Sequence, residues 1–210
     1  LFDLDGTLLN TNTLVIKSFQ HTFREYLSLE VPDESLYGYF GEPLKDTFRR
    51  FAPERVEELV RAYREFNIAH HDDLVNPFPG VIETITKLHQ GGLKLGVVTS
   101  KIKHTAVRGL ELCGIKDYFE ALISLEDTEN HKPHPEPIYK ALEVLDLKPH
   151  EVVMVGDSPY DIRCAKNAGV SCAVVGWSML PVEVMQAERP DHVINDLAEL
   201  GKLCLENLPE

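Results

Sequence analysis

The chain has 210 residues, long enough to bury roughly 70% of its unfolded surface, so neither a disulfide nor a structural metal is required for a stable core. With 34 acidic residues against 21 basic ones and a net charge of −13, it lacks the electrostatic footprint of a nucleic-acid or anionic-membrane binder. Cys113, Cys164, Cys172 and Cys204 form no C-x-x-C, which signals neither zinc nor a disulfide framework and fits a reducing cytoplasm, and no apolar run of about 18 residues or signal-like N-terminus is present.

The opening Leu-Phe-Asp-Leu-Asp-Gly-Thr-Leu-Leu reads as a buried strand ending in Asp3 and Asp5. A strand alternates faces with a period of two, so these carboxylates can lean the same way as the chain leaves the sheet. Gly6 permits a sharp departure, and the Thr7 hydroxyl is expected to bond back to a carboxylate or a loop amide. Only two residues precede Asp3, which implies that a few more come before Leu1.

Two acids this close need a cation, or one of them stays protonated. Hard oxygen ligands favour Mg2+, which binds through one or two carboxylates plus substrate phosphate. A calcium loop would place Gly sixth and Glu twelfth from Asp3, where Leu8 and Leu14 stand instead. Taken alone, the pair is equally compatible with an incidental strand end.

From Asn12 to about Leu29, Leu14, Val15, Phe19, Phe23, Tyr26 and Leu27 recur at helical spacing. Pro32 ends that helix, Asp33 caps a short second one, and Gly41 with Pro43 marks a turn before Leu44, Phe48 and Phe51. Pro53 starts another helix, with Val56, Leu59, Val60, Tyr63 and Phe66 inward, and Asn76 to Gly80 reads as a linker. No convincing strand is expected between 12 and about 75.

Beyond the linker, helices and strands alternate. Helices are expected near 81–90, 103–113, 135–145 and 159–168, with strands at Leu93–Thr99, Ala121–Ser124, Val152–Gly156, Ser171–Gly176 and Asp191–Ile194 before a last helix. Such alternation implies right-handed crossovers and an α/β, doubly wound, mostly parallel sheet. The expected organisation is a Rossmann-like core over 1–11 and 80–210 with an inserted all-helical cap over 12–79. Ligands of such sheets bind beyond the carboxyl ends of the strands.

Three more candidates follow that rule. Thr99, with Ser100 and Lys101, ends an apolar strand where hydroxyls and free amides suit phosphate oxygens, although Thr-Ser there also serves as a helix cap. Lys132 sits in His-Lys-Pro-His-Pro-Glu-Pro, whose prolines stiffen the loop; the alternative is a solvated lysine, and His131 and His134 stay unassigned. Asp157 ends a further strand, and Asp161 opens a helix where an acid is either a cap or a site residue.

In this order, Asp-Leu-Asp-Gly-Thr, Thr99, Lys132 before Pro133, and Gly-Asp-x-x-x-Asp resemble the four motifs of the haloacid dehalogenase superfamily of phosphohydrolases across the whole chain. The 12–79 insertion is similar to that superfamily's cap, and the second acid of the first motif, Asp5, points to its phosphatase branch. The resemblance implies that Asp3 is a nucleophile forming an aspartyl-phosphate and that Asp5 is the general acid and base. Asp3, the Asp5 carbonyl and Asp157 would hold Mg2+, Thr99 and Lys132 would hold phosphoryl oxygens, and Asp161 would bond to metal waters.

Within the superfamily the cap selects the substrate. Its possible contacts for an anionic leaving group are His21, Arg24, Lys45, Arg49, Arg50, Arg61, Arg64, His70 and His71, of which one to three are expected to face the site. The turn at Gly41 and Lys45 is expected to be the best placed. Tyr63 to Val75, Gly41 to Phe48 and Lys166-Asn-Ala-Gly169 resemble the PpaX-type pyrophosphatase branch, with a departure at Leu180 where that branch's pattern has Lys. This implies inorganic pyrophosphate as the small phosphorylated substrate. Phosphoglycolate phosphatase, a beta-phosphoglucomutase-like enzyme and, remotely, a receiver-type phospho-accepting module are the alternatives; nothing in the sequence specifies an oligomeric state.

Overall fold

The structure is a computed structural model that describes residues 1–205. The core strands are shorter than their apolar runs suggest: β3 is Gly96–Val98, β4 Ala121–Ile123, β5 Val153–Gly156, β6 Ser171–Val175 and β7 His192–Ile194. All pair in parallel, β3 with β4 and β5 with β6 and then β7. Leu1–Asp3 bridge the two groups. Phe2 donates to the Gly96 carbonyl at 2.9 Å and accepts from the Val98 amide at 2.8 Å, while Asp3 N–H donates to the Val155 carbonyl at 2.8 Å.

The order across the sheet is therefore β4, β3, Leu1–Asp3, β5, β6, β7. From the opening segment the chain winds outward through β3 and β4, then crosses back to β5 on the other side. That reversal makes the crevice between Leu1–Asp3 and β5 the topological switch point, where doubly wound folds bind their ligands. The expected doubly wound parallel architecture is the one observed.

Helices cover both faces because adjacent strand residues point oppositely. Val97, Val155, Ala173 and Val175 face α5 (Val81–Gln90), α6 (Lys103–Leu112) and α10 (Glu199–Leu205). Val98, Met154, Cys172 and Val174 face α7 (Glu136–Leu145) and α8 (Pro159–Ala168), with Met185 of α9 (Val182–Ala187) beside them.

A third core lies in the inserted helices α1 (Asn12–Leu27), α2 (Leu44–Arg49) and α3 (Val56–Ala69), which precede the short α4 (His71–Leu74). It is aromatic where the sheet's cores are aliphatic: Phe19 packs on Tyr63 with ring centroids 4.8 Å apart and on Phe48 at 5.7 Å. The expected short second helix is a 3-10 turn at Asp33–Tyr39. The linker is more ordered than its composition suggests. Asn76–Pro77 (β2) pairs antiparallel with Leu9–Asn10 (β1), so the two chain crossings are hydrogen-bonded to each other. Proline is tolerated there because each partner is an edge strand.

Candidate active site

Asp3 and Asp157 follow the strands that flank the switch point, and Lys132 reaches in from the loop before α7. Its ammonium donates to Asp3 Oδ1 at 2.7 Å and to Asp161 Oδ1 at 2.6 Å. All four side chains are buried, and carboxylate oxygens of Asp3, Asp157 and Asp161 lie within 4.8 Å of one another. Asp161 Oδ2 also accepts the Ser158 amide at 3.0 Å and its hydroxyl at 2.6 Å, a capping box at the start of α8. Asp161 thus serves as helix cap and lysine anchor together.

One ammonium among three buried carboxylates leaves excess negative charge. Burial raises the Asp3 carboxyl to about 7; Lys132 opposes the rise, and Asp161 and Asp5 add to it. Burial, then Asp3 and Asp161, push Asp157 well above the usual carboxylate range. For Lys132, burial favours the neutral amine, but Asp161 and Asp3 together outweigh it and hold the proton more firmly than usual.

Asp157 has no donor for its carboxylate among the described residues and packs on Gly6, where an added Cβ would stand 2.1 Å from Asp157 Oδ2. Gly6, at φ +81°, is the residue that lets the opening loop lie so close to that carboxylate. A buried all-oxygen cluster with surplus negative charge, whose Asp157 carboxylate has no donor among the described residues, suits a hard divalent cation.

The cavity above this cluster is lined by Asp5, Thr99, Ser100 and Gly41 as well as Asp3, Lys132 and Asp157. Thr99 hydroxyl oxygen accepts the Lys101 amide at 3.1 Å, and Lys101 ammonium donates to Asp5 Oδ1 at 2.8 Å. Gly41, at φ +77°, brings its turn onto Ser158: an added Cβ would stand 2.7 Å from the Ser158 hydroxyl.

Two expected contacts are not made. Thr7 is fully buried, does not line the cavity, and its hydroxyl has no hydrogen-bond partner among the described residues. The loop amides it was expected to meet are already engaged, Gly6 by the Leu9 carbonyl and Leu8 and Leu9 by that of Leu4. Lys45 lies outside the cavity that holds Asp3 but borders the adjoining cleft, which Arg64, Ser100 and Lys132 also line. It is half exposed and pairs with Glu57 of α3 at 2.7 Å. Leu180 packs against the α7–α8 side of the core, away from the cavity.

Of the nine candidate cations and histidines of the insertion, Arg64 alone lines the cavity with Asp3. Lys101 and Tyr63, which also line it, are the residues that sequence reasoning passed over. Lys101 had a signal, a cation two residues beyond Thr99 at a strand end. Tyr63 had none, since its spacing marks only an inward helix face.

A Rossmann-ordered sheet with clustered acids and a buried lysine at its switch point marks a phosphate-handling hydrolase fold. The model of the haloacid dehalogenase-like hydrolase family matches residues 1–175, and the chain belongs to that family. It is 48% identical over 200 residues to the Pyrophosphatase PpaX of Halalkalibacterium halodurans, covering 95% of this chain and 93% of that one. A protein of the same name from Anoxybacillus flavithermus is 46% identical over the same shares. Among solved structures, a haloacid dehalogenase-like hydrolase from Streptococcus pneumoniae superposes with a TM-score of 0.85 at 25% identity, covering 95% of this chain and 94% of that chain.

Proposed function

We propose that the chain is a Mg2+-dependent phosphohydrolase that works through a phosphorylated Asp3 and takes inorganic pyrophosphate as its substrate. The observation that carries the chemistry is the cluster of Asp3, Asp157 and Asp161 around a single buried ammonium. Lys132 holds Asp3 in one orientation, which favours in-line attack by the other carboxylate oxygen.

In the first step an Asp3 oxygen bonds to phosphorus, the bond from phosphorus to the bridging oxygen breaks, and Asp5 gives the bridging oxygen of the leaving phosphate a proton. In the second step Asp5 takes a proton from water, the water oxygen bonds to phosphorus, and the Asp3–phosphorus bond breaks to release phosphate. Lys101 pairs with Asp5 and orients it. Thr99, Ser100 and Lys132 offer donors to the charge spread over the phosphoryl oxygens. Asp3, Asp157 and the Asp5 carbonyl would hold Mg2+, which when bound would supply the neutralisation that one lysine leaves incomplete.

Pyrophosphate is supported by the relatives. The cavity above Asp3 has a volume of about 140 Å³ and adjoins a cleft of about 710 Å³ that Arg64, Ser100 and Lys132 also line. Residues 12–79 act in this reading as a cap over a core of 1–11 and 80–210. No helix among the described residues is long and apolar enough to cross a membrane, and four unpaired thiols suit a reducing cytoplasm.

The test is phosphate release from pyrophosphate and from 2-phosphoglycolate, compared as kcat/KM with Mg2+ and with chelator. Pyrophosphate should be preferred, and chelation should silence the enzyme reversibly. Preference for phosphoglycolate overturns the substrate and leaves the core chemistry standing; activity indifferent to chelation removes Mg2+.

A further inference from the structure

We infer that Arg64 holds the anionic leaving half of the substrate, so that it, rather than a cation of the Gly41–Lys45 turn, sets specificity for a compact dianionic partner phosphate. The inference rests on the phosphohydrolase reading above and deepens it.

The insertion's other cationic and histidine side chains are paired, stacked on a ring or exposed: Lys17 is exposed, Arg55 pairs with Glu58, and Lys45 and Arg49 border only the adjoining cleft. Arg24, Lys45, Arg49 and Arg50 pair with Glu25, Glu57, Asp46 and Glu42. His21 and His70 stack on the Phe66 ring with centroids 4.6 and 4.3 Å away, and His71 is buried against Asp72. Arg61 is exposed to solvent and outside the cavity. Arg64 is half-buried, borders the cavity that contains Asp3 and Lys132, and has no ion pair or hydrogen bond among the described residues. A guanidinium at the cavity wall with no protein acceptor is free to take a ligand oxygen, and its planar fork matches phosphate bidentately.

Its helix is held firmly. Tyr63, Arg64, Asn67 and Ile68 share one face of α3 toward the cavity. The Asn67 amide donates to Ser18 Oγ at 3.2 Å, and that hydroxyl donates to the Leu14 carbonyl at 2.6 Å, which ties α3 to α1. Arg64 therefore extends from a braced helix face rather than from a loop.

Charge around the cavity is consistent with this role. Glu42, at the cavity edge, would repel an anion, but Arg50 takes both its carboxylate oxygens and the Thr47 hydroxyl donates to one of them at 2.6 Å. With Lys132 and Lys101 committed to Asp3, Asp161 and Asp5, Arg64 is the one cavity cation without a carboxylate partner among the described residues.

The experiment compares wild type, Arg64→Gln and Arg64→Lys on pyrophosphate, 2-phosphoglycolate and p-nitrophenyl phosphate, whose leaving group carries neither phosphate nor carboxylate. Arg64→Gln should lose roughly 10- to 100-fold in kcat/KM on the preferred anionic substrate, mostly through KM, with a much smaller loss on p-nitrophenyl phosphate. Arg64→Lys should recover part of it. Equal losses on all three substrates assign Arg64 a structural role and overturn the inference, as does no loss on the anionic ones. A wild type that prefers phosphoglycolate overturns the substrate reading alone, and Arg64 is then judged on phosphoglycolate by the same criterion. A wild type that cleaves none of the three overturns both.

Discussion

The strand ends and the inserted helices meet across one cavity and are built on opposite plans. At the strand ends charge is dense and mutually committed: Lys132 is shared by Asp3 and Asp161, Lys101 holds Asp5, and each group follows a strand or its adjoining loop. Across the cavity, the face of α3 rests on a core of packed rings and presents a single unpaired cation. The first region is a fixed charge array whose geometry follows from sheet topology. The second is an apolar scaffold on which one side chain can change without disturbing the rest, a suitable place for specificity to vary while the chemistry stays constant.

The sharpest way to break this contrast is Asp3→Asn. If the strand-end array performs the chemistry, steady-state turnover should fall by at least roughly 10³-fold, with the far-ultraviolet circular dichroism spectrum retained. Near-normal turnover would move the chemistry elsewhere.

The same array should leave a signature in stability. A carboxyl raised from an ordinary value to about 7 binds more protons folded than unfolded between those pH values. Stability of the protein without divalent cation should therefore fall as pH rises from about 4 to about 7, and Asp157 acts in the same direction. Chemical denaturation across that range measures the slope, which Asp3→Asn should flatten and Mg2+ should offset. A flat or rising profile for the metal-free wild type would contradict an over-charged cluster.

The smallest effect should come from the outer side of the insertion. Lys45→Ala removes an exposed pair with Glu57 and should change kcat/KM by no more than about twofold on any of the three substrates. A tenfold loss would return the Gly41–Lys45 turn to the centre of recognition and blur the division between scaffold and single cation.

Much of the strand-end array could be read before any coordinates. Asp3, Thr99 and Asp157 each end an apolar run, and in a parallel sheet every such end opens on the same edge, so local pattern plus one topological rule brings them together. Lys132 was marked by its prolines, and Asp161 by its place at a helix start, where cap and site proved compatible. Thr7, expected to bond to a carboxylate or a loop amide, has no partner for its hydroxyl among the described residues, and the nearby amides already serve the Leu4 and Leu9 carbonyls.

The inserted helices were legible as helices, since a period of 3.6 is a local property of the chain, but their functional face was not. Nine cationic or histidine side chains looked interchangeable in sequence. Which of Arg61 and Arg64 meets the cavity depends on the rotation of α3 about its axis, and that is set by Phe19, Phe48 and Tyr63 packing together and by Ser18 joining Asn67 to α1. The sequence by itself determined the order of elements and the chemical groups at the strand ends, because both follow from spacing along the chain. Tertiary structure alone decided that Lys101 pairs with Asp5, that Lys45 is committed to Glu57 and that Arg64 is left without a partner, because each depends on side chains brought together by packing between helices or between loop and strand.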